Sequence, residues 1–398
     1  LQAFSLLLNR GVFIAAALVS LMLTGCGGGG TSTVDPGLIT SSWAWSLPPN
    51  FPTPFVPANN AMSEAKFQLG RYLFYDKRLS GNGTTACSSC HFQNLAFTDG
   101  KAVSTGATGQ NTPRSAMSIA NSVYHPTLTW ARPDLTSLEL QAAVPMFGTN
   151  PIELGITGNE ATVLARFLAD PWYVSQFALA FPKVTNPITF PNIINAIATF
   201  ERGVLSGDAK YDQYLKGQAT LTPSEYSGYL LFNTEKAECF HCHGGHNFND
   251  QVNFAGIQAI TTIFHNTGLY NIDGAGGYPA PNRGVFEVTQ NPLDMGFFRA
   301  PSLRNVAITA PYMHDGTIGS LSEVVATYAA AGRNIPAGQP NAGDGRLNQF
   351  KDPLIPRINL TAQDQLDLLA FLGTLTDQNL LTSPRYANPF PLGTINNP

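Results

Sequence analysis

Two copies of the pattern Cys-x-x-Cys-His constrain this chain more than any other feature: Cys87-Ser88-Ser89-Cys90-His91 and Cys239-Phe240-His241-Cys242-His243. Two thiols at that spacing can each add to one vinyl group of the same haem, while the imidazole that follows reaches the iron. A zinc site or a redox disulfide also uses Cys-x-x-Cys, but neither accounts for a histidine directly after both pairs. Four of the five cysteines are used in this way. The expected cofactors are therefore two covalently bound haem c groups, with His91 and His243 as proximal iron ligands.

The composition is compatible with that demand. The 398 residues are 43% hydrophobic and 12% charged, ample for one large or two modest cores. Glycine and proline, 37 and 29 residues, imply many loops between short helices. A net charge of −4 offers no positive field for phosphate backbones, which argues against a nucleic-acid partner. The first residues read as an address. Arg10 precedes an apolar run, Val12 to Leu23, that is too short to span a bilayer but suits a signal-peptide core. It ends in Leu23-Thr24-Gly25-Cys26, similar to the lipobox at which bacterial lipoproteins are cleaved and acylated. Residues 1–26 are expected to be a signal peptide with lipobox and 27–50 a flexible tether. That places the protein in the periplasm or cell envelope, touching the membrane only through a lipid on Cys26; cleavage near Gly25 without acylation is the alternative.

An internal repeat accompanies the motifs. Gly70-Arg71-Tyr72-Leu73-Phe74 precedes the first and Gly228-Tyr229-Leu230-Leu231-Phe232 the second, each at the end of an expected amphipathic helix. The second helix has a clear start, with Thr222 as N-cap, Pro223 in the first turn and Glu225 completing a capping box. Further helical patterns cover 161–168, 192–205, 321–331 and 362–375, and no run of alternating strand residues stands out. The expected class is mainly α: two cytochrome-c-like haem domains, 51–205 and 206–385, packed around an inter-haem interface, with a tail at 386–398.

With these motifs in place, the chain resembles the bacterial di-haem cytochrome c peroxidases and their relatives MauG and MbnH. The similarity runs from Pro52 to Tyr386. It is carried by Leu69-Gly70-Arg71-Tyr72-Leu73-Phe74 with Arg78-Leu79-Ser80, by both haem motifs and by Phe264-His265-Asn266-Thr267-Gly268-Leu269. It continues in Phe298-Arg299-Ala300-Pro301-Ser302-Leu303-Arg304-Asn305 through Pro311-Tyr312-Met313-His314-Asp315-Gly316. In that family a distal carboxylate over the N-terminal haem moves the protons of peroxide. The segment from Gln141 to Glu153 matches the pattern, with Glu153 as the proton-transfer group and Gln141 as a second polar group. Peroxidase-type members carry a histidine soon after the first motif that closes the first iron. None lies between His91 and His125 here, and the matching position is Ala107, so the first haem is expected to be open, with His125 structural or solvated or, as the alternative, a replacement ligand from another loop position.

The same resemblance implies a sixth ligand on the second iron, a methionine in the peroxidases and a tyrosine in MauG and MbnH. The matching position is Tyr328, on a helix begun by a capping box of Ser320 and Glu323, with Val324 one turn earlier on the same face. Met313 and Met295 are the alternative ligands. Trp130 matches a tryptophan that lies between the haems in relatives. Asn111, Thr309 and Pro311 match the donors of a calcium ion there, a side-chain oxygen from the first and backbone carbonyls from the others. His314 is expected beside a haem propionate; His241, His246 and His265 have no assigned role.

Phenolate is hard and anionic and favours oxidised iron, where a thioether favours the ferrous state. The resemblance thus implies a hydrogen-peroxide-dependent oxidase of MauG and MbnH type. A shared high-valent state of the two haems would oxidise an aromatic residue, a tryptophan, of a partner protein, with a copper-binding partner as one case. The alternative is a peroxidase that reduces hydrogen peroxide with electrons from a small cytochrome c or cupredoxin. An inert electron carrier is disfavoured by Glu153. One departure from MauG is that Lys236-Ala237-Glu238 stand where MauG has a tryptophan for exit of the oxidising equivalent.

Overall fold

A computed structural model describes residues 43–397 of the chain. The expected signal peptide, Cys26 and most of the tether lie outside the described residues. The first half carries α1 (Glu64–Tyr75), α2 (Leu138–Phe147), α3 (Glu160–Leu168), α4 (Pro171–Ala180) and α5 (Phe190–Gly203). The second carries α6 (Lys210–Leu215), α7 (Pro223–Phe232), α8 (Phe286–Thr289), α9 (Leu321–Ala329), α10 (Ala362–Gly373) and α11 (Gln378–Thr382). Among the described residues the sheet structure is a single antiparallel pair of two-residue strands, β1 (Asn334–Ile335) and β2 (Gly343–Asp344). The chain is mainly α.

Side-chain caps explain most helix starts. Ser63, Ser137, Thr189 and Thr222 each accept a hydrogen bond from the backbone N–H three residues on, satisfying a donor that the helix leaves open. At α7 the box is reciprocal, with Glu225 accepting from the Thr222 N–H at 2.7 Å. At α9 the expected box is only half made. Ser320 caps the helix, but the Glu323 carboxylate accepts from the Ser320 hydroxyl at 3.2 Å instead of from the cap's N–H.

The sequence repeat is a packing repeat. A Cβ at Gly70 would stand 1.9 Å from the Ala196 carbonyl oxygen on α5 and 3.0 Å from the Phe200 Cβ. At Gly228 it would stand 1.9 Å from the Asp367 carbonyl oxygen on α10 and 2.8 Å from the Phe371 Cβ. Glycine is needed in each half because the α1–α5 and α7–α10 backbones touch. Gly228→Ala is therefore expected to separate α7 from α10 and to destabilise the protein by about 1–3 kcal/mol, as overpacking does. A lowered thermal midpoint in calorimetry checks this, and an unchanged midpoint would refute the contact.

Each pair organises its own core. Phe67, Leu73, Phe74, Ile197 and Phe200 are buried together in the first half, and Leu231, Phe232, Phe371, Leu372 and Leu375 in the second. The C-terminal segment returns to the first half: Leu380 joins its core, Tyr386 and Phe390 pack against it, and Asn396 donates to Asp76 at 3.2 Å. The halves are tied by polar contacts as well. Asn121 donates to Asn247 at 3.1 Å and to the Ser206 carbonyl at 2.8 Å.

Candidate functional site

Both motifs adopt one local structure. Cys87–Ser89 and Cys239–His241 form single 3-10 turns, and the N–H of each following histidine returns to the first cysteine's carbonyl, His91 to Cys87 at 3.1 Å and His243 to Cys239 at 3.0 Å. The imidazoles are then fixed from behind. His91 Nδ1 donates to the Phe97 carbonyl at 2.7 Å, and His243 Nδ1 to the Phe248 carbonyl at 3.2 Å. A carbonyl can only accept, so both rings carry their proton on Nδ1 and leave Nε2 free for a metal. Phe97 and Phe248 hold their carbonyls there from the left-handed region, φ 63° and 51°. Non-glycine residues adopt that conformation only where the surroundings impose it.

Each motif opens onto a cavity. The first, about 620 Å³, is lined by Cys87, Cys90 and His91, and on another wall by Gln141 and Glu153. Burial alone raises the Glu153 carboxyl above its ordinary range. The Ala107 N–H donates to the Glu153 carbonyl at 2.7 Å, so the position that would carry a closing histidine lies beside the Glu153 backbone and holds only a methyl group. The second cavity is lined by Cys239, Cys242 and His243, and by Val324 and Tyr328 of α9. Burial pushes the Tyr328 phenol up strongly, with the Cys242 and Cys239 sulfurs adding to the shift. Such a hydroxyl ionises only with a cation in front of it.

The other expected residues are distributed unevenly. Met313 also lines the second cavity, whereas Met295 packs among Tyr278 and Phe298 away from it. Trp130 lines both cavities, its Nε1–H donating to the Ser115 carbonyl at 2.9 Å. His125 lines both as well, with Nε2 against the Asn247 side-chain amide at 3.0 Å; burial holds the ring neutral. Thr309 and Pro311 line the second cavity. Asn111 is exposed and accepts from the Thr105 hydroxyl at 2.9 Å.

These walls suit haem c. Among the described residues the four cysteines form no disulfide, and burial raises the thiols of Cys87, Cys90 and Cys239, which disfavours thiolate chemistry. Neither motif's two sulfurs and imidazole converge as a zinc cluster would. Buried donors without partners await an anionic group. Arg299 lines both cavities, is 3% exposed and leaves Nη1 unpaired. His314 is stacked on Phe298 at 3.7 Å, is held neutral by burial and leaves Nε2 unpaired beside the second cavity. A haem's propionates are carboxylates that could satisfy both.

A two-haem c protein with a buried carboxyl in the wall of one cavity is thus defined by fold and residues together. The di-haem cytochrome c peroxidase family matches residues 64–220. The chain is 35% identical to cytochrome-c peroxidase IdrP1 of Denitromonas iodatirespirans, over 83% of this chain and 87% of that one. It is 30% identical to methylamine utilization protein MauG of Methylorubrum extorquens, over 92% and 94%. A solved structure of a MauG-like protein associated with microbial copper homeostasis is 57% identical, with a TM-score of 0.86 over 87% of this chain and 99% of that one. The chain belongs to the di-haem cytochrome c peroxidase and MauG family: it is a haem-dependent oxidoreductase whose cofactors are two haem c groups.

Sequence reasoning missed three buried groups. Arg299 lay in a marker segment without a role. His265 is clasped between Asp250 and Asp352, both at 2.5 Å; burial opposes its charge, but Asp250, then the Cys242 sulfur and Asp352, raise its pKa. Glu201 lines the first cavity with one oxygen unpaired. All three depend on neighbours distant in sequence, so no local signal marks them.

Proposed function

We propose that the chain is a hydrogen-peroxide-dependent oxidase of the MauG and MbnH type, which oxidises a tryptophan of a partner protein. The observation that carries the reading is Tyr328 on the wall of the second cavity, with Trp130 in the walls of both. Haem c at each site would supply iron chemistry, reaction with peroxide in the first cavity and storage of oxidising power in the second. This chain's residues do the rest. Glu153 moves a proton between the two peroxide oxygens, with Gln141 orienting the molecule. Tyr328 favours the oxidised form of the second site, and Trp130 carries electrons between the two. The likeness to a protein associated with copper homeostasis points to a copper-binding partner. Export to the periplasm, acylation of Cys26 and a calcium ion held through Asn111, Thr309 and Pro311 complete the reading.

Stoichiometric hydrogen peroxide added to the fully oxidised protein without any electron donor is the test. The expected result is immediate reaction, read as loss of peroxide and a long-lived change in optical and EPR spectra. Failure to react until one haem is reduced would instead favour a peroxidase fed by a small cytochrome c or cupredoxin, the reading that the likeness to IdrP1 supports.

A further inference from the structure

Glu201 is a buried carboxyl in the wall of the first cavity. It lies on α5, is 5% exposed and lines the same wall system as Cys87, Glu153 and Gln141, yet its Oε2 has no hydrogen-bond partner. An unpaired buried carboxyl is costly and calls for an explanation. Its neighbour in sequence belongs to a polar network. The next residue, Arg202, binds Glu139 of α2 at 2.7 Å, Glu139 accepts from Asn60, and Asn60 accepts from Lys66 of α1. The Glu139 side chain is 18% exposed, so the network reaches solvent.

The chemistry supplies a reason for such a group. Reduction of peroxide, H2O2 + 2 H⁺ + 2 e⁻ → 2 H2O, consumes two protons. Glu153 only shifts a proton from one peroxide oxygen to the other and adds none. The electrons come from the partner's aromatic residue or a small redox donor, but the protons must cross the wall of a buried cavity. We propose that Glu201 is the proton-delivery group of the first cavity, giving its proton inward and regaining one from water along the Glu139 side. The inference rests on the peroxide half-reaction, which both readings above share.

Charge around Glu201 supports the role. Burial first, and the Glu139 carboxylate second, raise its pKa to about 8, against the opposing pull of Arg202. Cys87 faces it from the motif turn, and Lys66 of α1 lies in the network beyond Glu139. The acid is thus loaded at neutral pH and empties as pH rises past about 8.

The experiment uses haem-loaded protein with ascorbate as electron donor, so that no partner protein is involved. The wild type is expected to lose peroxide turnover as pH rises through about 8, with a carboxyl band in infrared difference spectra that shifts in D2O and disappears over the same range. Glu201→Gln should abolish that band and the alkaline limb and lower kcat by about 10²-fold, the lower edge of acid–base effects, without changing KM for peroxide. Glu201→Asp should keep the limb. If the glutamine variant fails to load haem, Glu139→Gln is decisive: removing the neighbouring charge should move the limb to lower pH. A limb and band that persist in Glu201→Gln, or an unmoved limb in Glu139→Gln, would overturn the proposal. Failure of the tryptophan-oxidation reading would leave these outcomes untouched.

Discussion

Glu153→Gln is expected to slow the reaction with hydrogen peroxide by about 10²–10⁴-fold, the usual worth of a positioned acid–base group, while both haems remain attached. Glutamine keeps the size and hydrogen-bonding capacity of the side chain but cannot take up a proton. Stopped-flow mixing with peroxide reads the loss, and unchanged haem content and optical spectrum exclude a folding defect. The pH dependence has a definite sign. Glu153 must be ionised to accept the first proton, so the rate falls as pH drops through its pKa, which burial displaces upward from the ordinary carboxylate range. The acid limb belongs to Glu153 and the alkaline limb to Glu201. Two carboxyls that line one cavity in different surroundings can serve as base and acid respectively. A glutamine variant that reacts at the wild-type rate would show that another group moves the proton.

The parts of this protein that were legible in sequence are those whose chemistry demands contiguous residues. The two haem motifs are fixed by the reach of thioether bonds, and the mainly helical class follows from the 3.6-residue patterns around Phe200 and Phe371. The repeat at Gly70 and Gly228 was visible as letters, but its cause, a carbonyl from a partner helix 1.9 Å from where a Cβ would lie, exists only in three dimensions. Helix α2 escaped because it contains Pro145 and shows little amphipathic contrast, although Ser137 caps it and it carries Gln141 into the cavity. Glu153 and Tyr328 were assigned through resemblance, since nothing in their immediate sequence distinguishes them from a loop carboxylate and a half-buried aromatic. Arg299, Glu201 and His265 were out of reach. Each is unusual because of what surrounds it, and those neighbours come from distant segments.

Tyr328→Met is expected to convert the protein from one that reacts with peroxide unaided to one that needs a reduced donor. Tyr328 and Met313 both line the second cavity, but Tyr328 stands on α9, facing the Cys239 and Cys242 sulfurs from a helix capped by Ser320. Met313 instead lies in a loop pinned through its own carbonyl, which accepts from the Ser115 hydroxyl at 3.2 Å. Axial ligands move haem potentials over a range of about 0.8 V. Exchange of a phenolate for a thioether should therefore raise the second site's potential by on the order of hundreds of millivolts, read by spectroelectrochemical titration. The fully oxidised variant should then fail to oxidise a partner's tryptophan. Tyr328→Phe separates ligation from packing. It keeps the ring that Val324 and the cavity wall require but removes the oxygen, so the EPR spectrum of the second site should change while the thermal midpoint stays close to that of the wild type. If Tyr328→Phe left that spectrum unchanged, Met313 would be the ligand, and the second site would be that of a donor-fed peroxidase.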